Sequence, residues 1–396
     1  MRILNTTLAI FALCTGLHAS AQEEVVSAEE NVNVKYVKSL KGTYMNSSCG
    51  EDRLGGNKIC FINEDIPLKV LSDTLTFYKI ALSQQRYGYI PKEMVVDTAV
   101  EHFSDVAISG SISVRNSGKT DRISIALSER KPYIIREEIE PKKFIIELHG
   151  VQNNSNWITQ YENLASISYI DAVQCGSDVL RLTLGLKNSS SWGYTVRYEG
   201  NNLVVDVKHT PELSLKGMVI GVDAGHGGPD SPGARGVNTK VNEKDLNLDM
   251  AFRLKRILEK RGAIVVLSRE SDITMTMGER KAKFLENNID LMVSIHCNAG
   301  GNANGTSTYY KQIQYKPLAE TILRNIRKLD GVRLFGMVGN FNFSLNAPVE
   351  YPNVLVETLF LSDPDDERRL NNPKFREKIM KRVADGLDEY LKECRK

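Results

Sequence analysis

Between His209 and Ser214 the hydrophobic pattern of the chain changes its period, and no other feature restricts the fold as much. Before this point the apolar residues come in short alternating runs bounded by turn residues, the mark of half-buried strands. From Gly217 onward strand-like runs alternate with segments whose apolar residues recur at helical spacing. The runs MVIGVD (218–223), AIVVLS (263–268), DLMVSIH (290–296) and VLVETLF (354–360) are separated by helices. One helix opens near Glu243 and sets Leu246, Met250, Leu254, Ile257 and Leu258 on one face; another is expected over 278–287 and the last over 373–393. Strands that alternate with helices build a largely parallel sheet. The fold class is therefore multidomain: β-rich modules followed by an α/β domain.

The strand-rich part divides again. Residues 35–100 hold short runs at Leu68–Leu71, Leu75–Leu82 and Tyr87–Ile90, consistent with a small β-barrel. Residues 104–210 contain an internal echo, in which ISIALSERKPYIIREEIEPKKFIIELHG (123–150) is answered by LRLTLGLKNSSSWGYTVRYEGNNLVVDVKH (180–209). Two such halves imply a β-sandwich with internal pseudo-symmetry. A GKT at Gly118–Thr120 is a hairpin turn rather than a phosphate loop, because Ser113 stands where the earlier glycine is required.

The first residues read as an export signal. Arg2 precedes an apolar run, and Ala19-Ser20-Ala21 forms a small-residue cleavage site, so residues 1–21 are expected to be removed and 22–34 to form an acidic flexible leader. The run is too short for a membrane anchor, and no later segment suits one. Export points to the periplasm and permits disulfides. Of the five cysteines left, Cys49 and Cys60 flank a glycine-rich turn; they can pair or remain thiols. Lysine plus arginine (51) nearly cancels aspartate plus glutamate (49), so no basic field exists for nucleic acid.

The chemistry rests on two of six histidines. His18 leaves with the signal, while His102, His149 and His209 lie in β-rich or linker segments and read as structural. His226 follows the strand MVIGVD and His296 ends the strand DLMVSIH; ligands gather at the carboxyl ends of strands in such sheets. Glu243 opens a helix and Glu357 lies in VLVE. Two histidines and a glutamate can bind zinc tetrahedrally with an open fourth place, and a second glutamate can serve as base.

On these residues the chain resembles a known family. VIGVDAGHGG, NEKDLNL, VVLSRE, DLMVSIHCNA and VLVETLFLSDPDDERRL follow, in order and setting, the pattern of zinc-dependent N-acetylmuramoyl-L-alanine amidases, across 215–396. The resemblance implies Zn2+ on His226, Glu243 and His296, Glu357 as catalytic base, and peptidoglycan as substrate. Residues 104–210, with NNLVVDV, look like an AMIN domain, and YGYIP (87–91) looks like the close of a bacterial SH3-like domain. Leu359 replaces a frequent glycine, Cys297 a common alanine, and NFNFSLNAPVEYPN (340–353) departs from the usual form. Cys297 should point away from the metal, since neighbours on a strand face oppositely. Asp223 and Asn298 are candidates to hold the histidine rings. No long inhibitory insertion fits between His296 and Glu357, so basal activity is expected, although a protein activator or envelope partner can still act. A peptidase that cuts within the stem peptide, or a non-catalytic wall-binding regulator, are the alternatives.

Overall fold

A computed structural model describes residues 34–49, 56–98 and 103–396. The expected signal, the leader up to Asn33 and His102 lie outside the described residues.

Seven short strands form the first sheet: β1 (Tyr36–Ser39), β2 (Thr43–Asn46), β3 (Lys58–Ile62), β4 (Pro67–Asp73), β5 (Phe77–Ser83), β6 (Arg86–Pro91) and β7 (Val95–Asp97). They run in the order β3-β2-β6-β5-β4-β1-β7 with antiparallel neighbours. Alternation buries Val37, Met45, Ile62, Leu68, Ile80 and Ile90 in one core. Cys49 is exposed, Cys60 is buried, and both are free thiols.

The sandwich follows: β8 (Ala107–Asn116), β9 (Thr120–Leu127), β10 (Tyr133–Ile139), β11 (Lys142–His149), β12 (Val151–Gln152), β13 (Ile158–Gln160), β14 (Ile167–Cys175), β15 (Val179–Leu186), β16 (Tyr194–Glu199) and β17 (Asn202–Lys208). The echo in the sequence has a structural meaning. The hairpin β10–β11 joins β15 and β14 in one sheet, while β16–β17 joins β9 and β8 in the other. Each half thus hands its second hairpin to its twin, so neither half closes a core alone. Gly118 (φ 78°) makes the β8–β9 turn, where Ser117 N–H donates to Thr120 O. His209 is structural, although it does have an acidic partner: its Nε2 lies 2.9 Å from Asp121 Oδ1.

The C-terminal sheet contains β18 (Val219–Ala224), β19 (Ile264–Leu267), β20 (Leu291–Asn298), β21 (Thr306–Tyr309), β22 (Leu334–Val338) and β23 (Asn353–Phe360), in the order β19-β18-β20-β23-β21-β22. The first four are mutually parallel; β21 runs antiparallel to β23 and parallel to β22. The helices are α1 (Glu243–Lys260), α2 (Met277–Glu286), α3 (Lys316–Ile326), α4 (Pro364–Leu370) and α5 (Pro373–Glu393). Helices α1, α3 and α5 bury Leu254, Ile322 and Val383 in one shared core against Val222, Val293 and Val356 of the sheet. A smaller cluster contains Phe284 of α2 with Met292, Leu345 and Tyr351. The sequence missed β22 and α4. β22 is largely exposed, so it carries no clear alternation, and α4 spans only two turns.

The sandwich is bound into this last core. Trp192, in the loop before β16, is 2% exposed, belongs to the core that contains Leu215 and Leu254, and meets the ring of Tyr390. Tyr194 N–H donates to Val349 O (3.0 Å), next to the chain that leads into β23.

Candidate metal centre

Three strand ends and one helix start converge here. β18 turns sharply at His226, whose φ of 62° places a non-glycine residue in the left-handed region. His296 lies near the end of the neighbouring β20, and Glu243 is the first residue of α1. Potential ligand atoms of His226, Glu243 and His296 all lie within 4.8 Å of one another. His226 Nε2 is 3.1 Å from Glu243 Oε2, and His296 Nδ1 is 3.0 Å from Glu243 Oε1.

The Glu243 carboxylate is held on every side. It accepts from the N–H groups of Ala234 (2.8 Å) and Cys297 (3.1 Å) and from Asn247 Nδ2 (3.0 Å). The helix N-terminus adds favourable potential for a negative charge. Burial works to raise its pKa, but the bonds to His226 and His296 hold the carboxyl well below the ordinary range. Burial opposes charge on His296 too, yet Glu243 outweighs it and brings the imidazole up to about 9. A buried anion between two imidazoles is a donor set that fits a divalent cation.

Glycine makes the approach possible. A Cβ at Gly225 would overlap the His296 ring, and one at Gly233 would overlap Glu243 and His226. Glu357 sits on β23 beside β20, in register with His296. Its Oε2 is shielded from solvent and has no hydrogen-bond partner among the described residues. Burial pushes the carboxyl up to about 7, partly offset by the His296 charge.

The supporting residues differ from those the sequence suggested. Ser231 Oγ, 3.2 Å away, meets His226 Nδ1. Asp223 touches neither ring: it pairs with Arg280 (2.6 Å) and accepts from Ser294 Oγ (2.6 Å). Arg280 in turn donates to the carbonyls of Ala224 and His226, and Arg269 to those of Ala224 and Gly225. Two fully buried arginines thereby lock the backbone of the histidine loop. Asn298 donates to Tyr309 OH (3.2 Å) rather than to a histidine. Sequence spacing gives no sign of these long-range bonds. Cys297 does face away, with Sγ 3.5 Å from Asn247 Oδ1 and 3.4 Å from Thr358 Oγ1, and burial raises its thiol well above the usual value. Phe343, from the atypical 340–353 stretch, meets the His296 ring edge-on at 6.0 Å.

Comparison with known proteins gives the family. The family model described as N-acetylmuramoyl-L-alanine amidase matches residues 220–389, and the AMIN domain model matches 111–207. A probable cell wall amidase, LytH, of Staphylococcus saprophyticus subsp. saprophyticus is 30% identical over 208 residues, 52% of this chain and 69% of that protein. The germination-specific N-acetylmuramoyl-L-alanine amidase of Bacillus subtilis is 31% identical over 205 residues, 46% of this chain and 83% of that protein. Among solved structures, an N-acetylmuramoyl-L-alanine amidase from Clostridium difficile 630 is 32% identical, covers 45% of this chain and 98% of that one, and has a TM-score of 0.43. This chain belongs to the N-acetylmuramoyl-L-alanine amidase family and carries an AMIN domain ahead of the amidase domain. It is a hydrolase of a peptidoglycan amide bond.

Proposed function

We propose that His226, Glu243 and His296 hold one zinc ion, and that Glu357 is the general base and then the general acid in cleavage of the bond between N-acetylmuramic acid and L-alanine. The convergence of the three ligand atoms within 4.8 Å, with the unpartnered Glu357 on the adjoining strand, carries this reading. Zinc bound there supplies Lewis acidity, polarising the amide carbonyl and bringing the pKa of water from about 15.7 toward 7.

The chain's own groups do the rest. Ser231 fixes the His226 ring and Asn247 orients Glu243. Glu357 Oε2 takes a proton from the attacking water and returns it to the departing L-alanine nitrogen. A carboxyl near pH 7 is well matched to both transfers. Phe341 and Phe343 stack, with ring centroids 6.0 Å apart, and Phe343 meets the His296 ring edge-on.

Residues 35–100 act in this reading as an SH3-like module and 104–210 as the AMIN module, placing the enzyme on the wall outside the cytoplasmic membrane, in the periplasm. Between His296 and Glu357 the helix is α3, which is packed into the core with α5. This arrangement supports activity without an activator. Metal analysis and the products of digested sacculi test the reading together. One zinc per chain, glycan strands free of peptide and new N-terminal L-alanine are expected; cleavage inside the stem peptide would overturn it.

A further inference from the structure

A cleft of about 560 Å³ lies where all three folded parts meet, away from the metal ligands. Lys58 enters it from the first sheet, Glu137 and Tyr194 from the sandwich, and Lys311 and Asn340 from the α/β part. Ligand sites favour such junctions and such volumes.

The charges in the cleft do not cancel. Lys281 is answered by Glu350 (3.3 Å) and Arg136 by Glu147 (2.8 Å). Lys58 and Lys311 have no carboxylate partner among the described residues. Lys58 Nζ lies over the Tyr44 ring (4.6 Å), and Lys311 Nζ donates to Asn340 Oδ1 (2.6 Å). Burial and, after it, the Lys58 charge lower the Lys311 pKa, and neither ammonium group is neutralised by an anion among the described residues.

Glu137 is no substitute for that anion. Its Oε1 accepts from Gln314 Nε2 (2.6 Å), and its Oε2 is shielded from solvent without a partner among the described residues. Burial drives the carboxyl up to about 8. The cleft therefore offers two unbalanced cations and the aromatic walls Tyr44 and Tyr194.

One loop joins this cleft to the metal centre. Asn340 and Asn342 line the cleft, while the intervening Phe341 and the following Phe343 stack toward Tyr309 and His296. A ligand seated in the cleft rests on the loop that walls the active site.

We propose that the cleft binds the stem peptide of peptidoglycan through its carboxylates, with Lys58 and Lys311 as the groups that hold them. This rests on the amidase reading and extends it to peptide recognition by the N-terminal modules.

Calorimetry on the zinc-loaded Glu357→Gln protein, which preserves its ligand, tests the proposal with a muramyl tetrapeptide and with the same compound amidated at its carboxyls. The K58M/K311M change should weaken binding of the free acid about tenfold or more, the scale of a charge-assisted hydrogen bond. Amidation should weaken binding to the parent protein similarly and add little once the lysines are gone. Unaltered affinity in K58M/K311M, or equal loss for both ligands, overturns the proposal; K58R/K311R should recover binding. Hydrolysis of N-acetylmuramoyl-L-alanine and zinc content, measured on the unsubstituted protein, report the amidase reading separately.

Discussion

His296 and Glu357 are register partners on the adjacent parallel strands β20 and β23, so the imidazole and the carboxyl are set at one level by backbone hydrogen bonds. Glu243 reaches His296 differently, from the first turn of α1 and across 53 residues of chain. One glutamate belongs to the sheet and one to a helix terminus. That difference underlies the first prediction.

Glu243→Ala removes a group that meets both histidines and should leave a chain that folds but holds little zinc. Glu357→Gln preserves shape and should keep the metal, while turnover falls by about 10²–10⁴-fold, the usual general-base contribution. Metal content and rate measured on both variants decide it. If the glutamine variant loses zinc and the alanine variant retains it, the two roles are exchanged.

Gly225→Ala tests the close approach behind the ligand. The added methyl must displace the His296 ring, because the backbone of Gly225 is fixed by Arg269 and by its N–H bond to Ile295 O. The variant should keep its thermal midpoint within a few degrees yet bind zinc about 10–100-fold more weakly, the scale seen when ligand orientation is disturbed. Normal zinc affinity would show that the ring can shift without consequence.

The four central residues were legible because each marks a boundary in the hydrophobic pattern. His226 and His296 follow apolar strand runs, Glu243 precedes a helical period, and Glu357 interrupts a continuous apolar run. Ser231, Arg269 and Arg280 were not, since a hydrogen bond across the fold leaves no periodic trace. Asp223 was misread for a related reason: closeness in sequence suggested a bond to histidine, but the pleat aims it at Arg280 and Ser294. The echo in 104–210 revealed two halves, yet not that they exchange hairpins, because pairing partners are chosen only when both halves meet. Trp192 was hidden most completely, as a lone aromatic in a polar loop.

Glu137 should make stability fall with rising pH. Its folded carboxyl stands at about 8, above the ordinary 4.5, so the folded state retains a proton that the unfolded chain releases. That contribution is complete below about pH 4.5 and is lost progressively up to about pH 8. The slope is at most about 1.4 kcal/mol per pH unit from this one group. Thermal midpoints between pH 5 and 8 should decline less in Glu137→Gln than in the parent. Parallel curves would show that this carboxyl ionises freely in the folded protein.

Trp192 should contribute to the stability of a domain to which it does not belong in sequence. Its ring is buried in the same core as Leu215 and Leu254 and lies 6.1 Å from the Tyr390 ring, and the next residues tie the sandwich to the α/β part. Tyr194 N–H donates to Val349 O, and Gly193 lies so near Glu350 that a Cβ there would overlap its backbone. Removing a buried indole leaves a cavity that the surrounding helices fill only in part, so Trp192→Ala should cost about 3–5 kcal/mol. Trp192→Phe should recover a good part of that. A fragment beginning near Leu213 lacks the ring as well, yet it retains His226, Glu243, His296 and Glu357. It should cleave soluble muropeptides at low temperature and melt well below the full chain. Calorimetric scans of the full chain, Trp192→Ala and the fragment, each with its zinc content, make the comparison. A fragment as stable as the full chain, or an alanine variant with an unchanged midpoint, would mean that the α/β core closes without the indole.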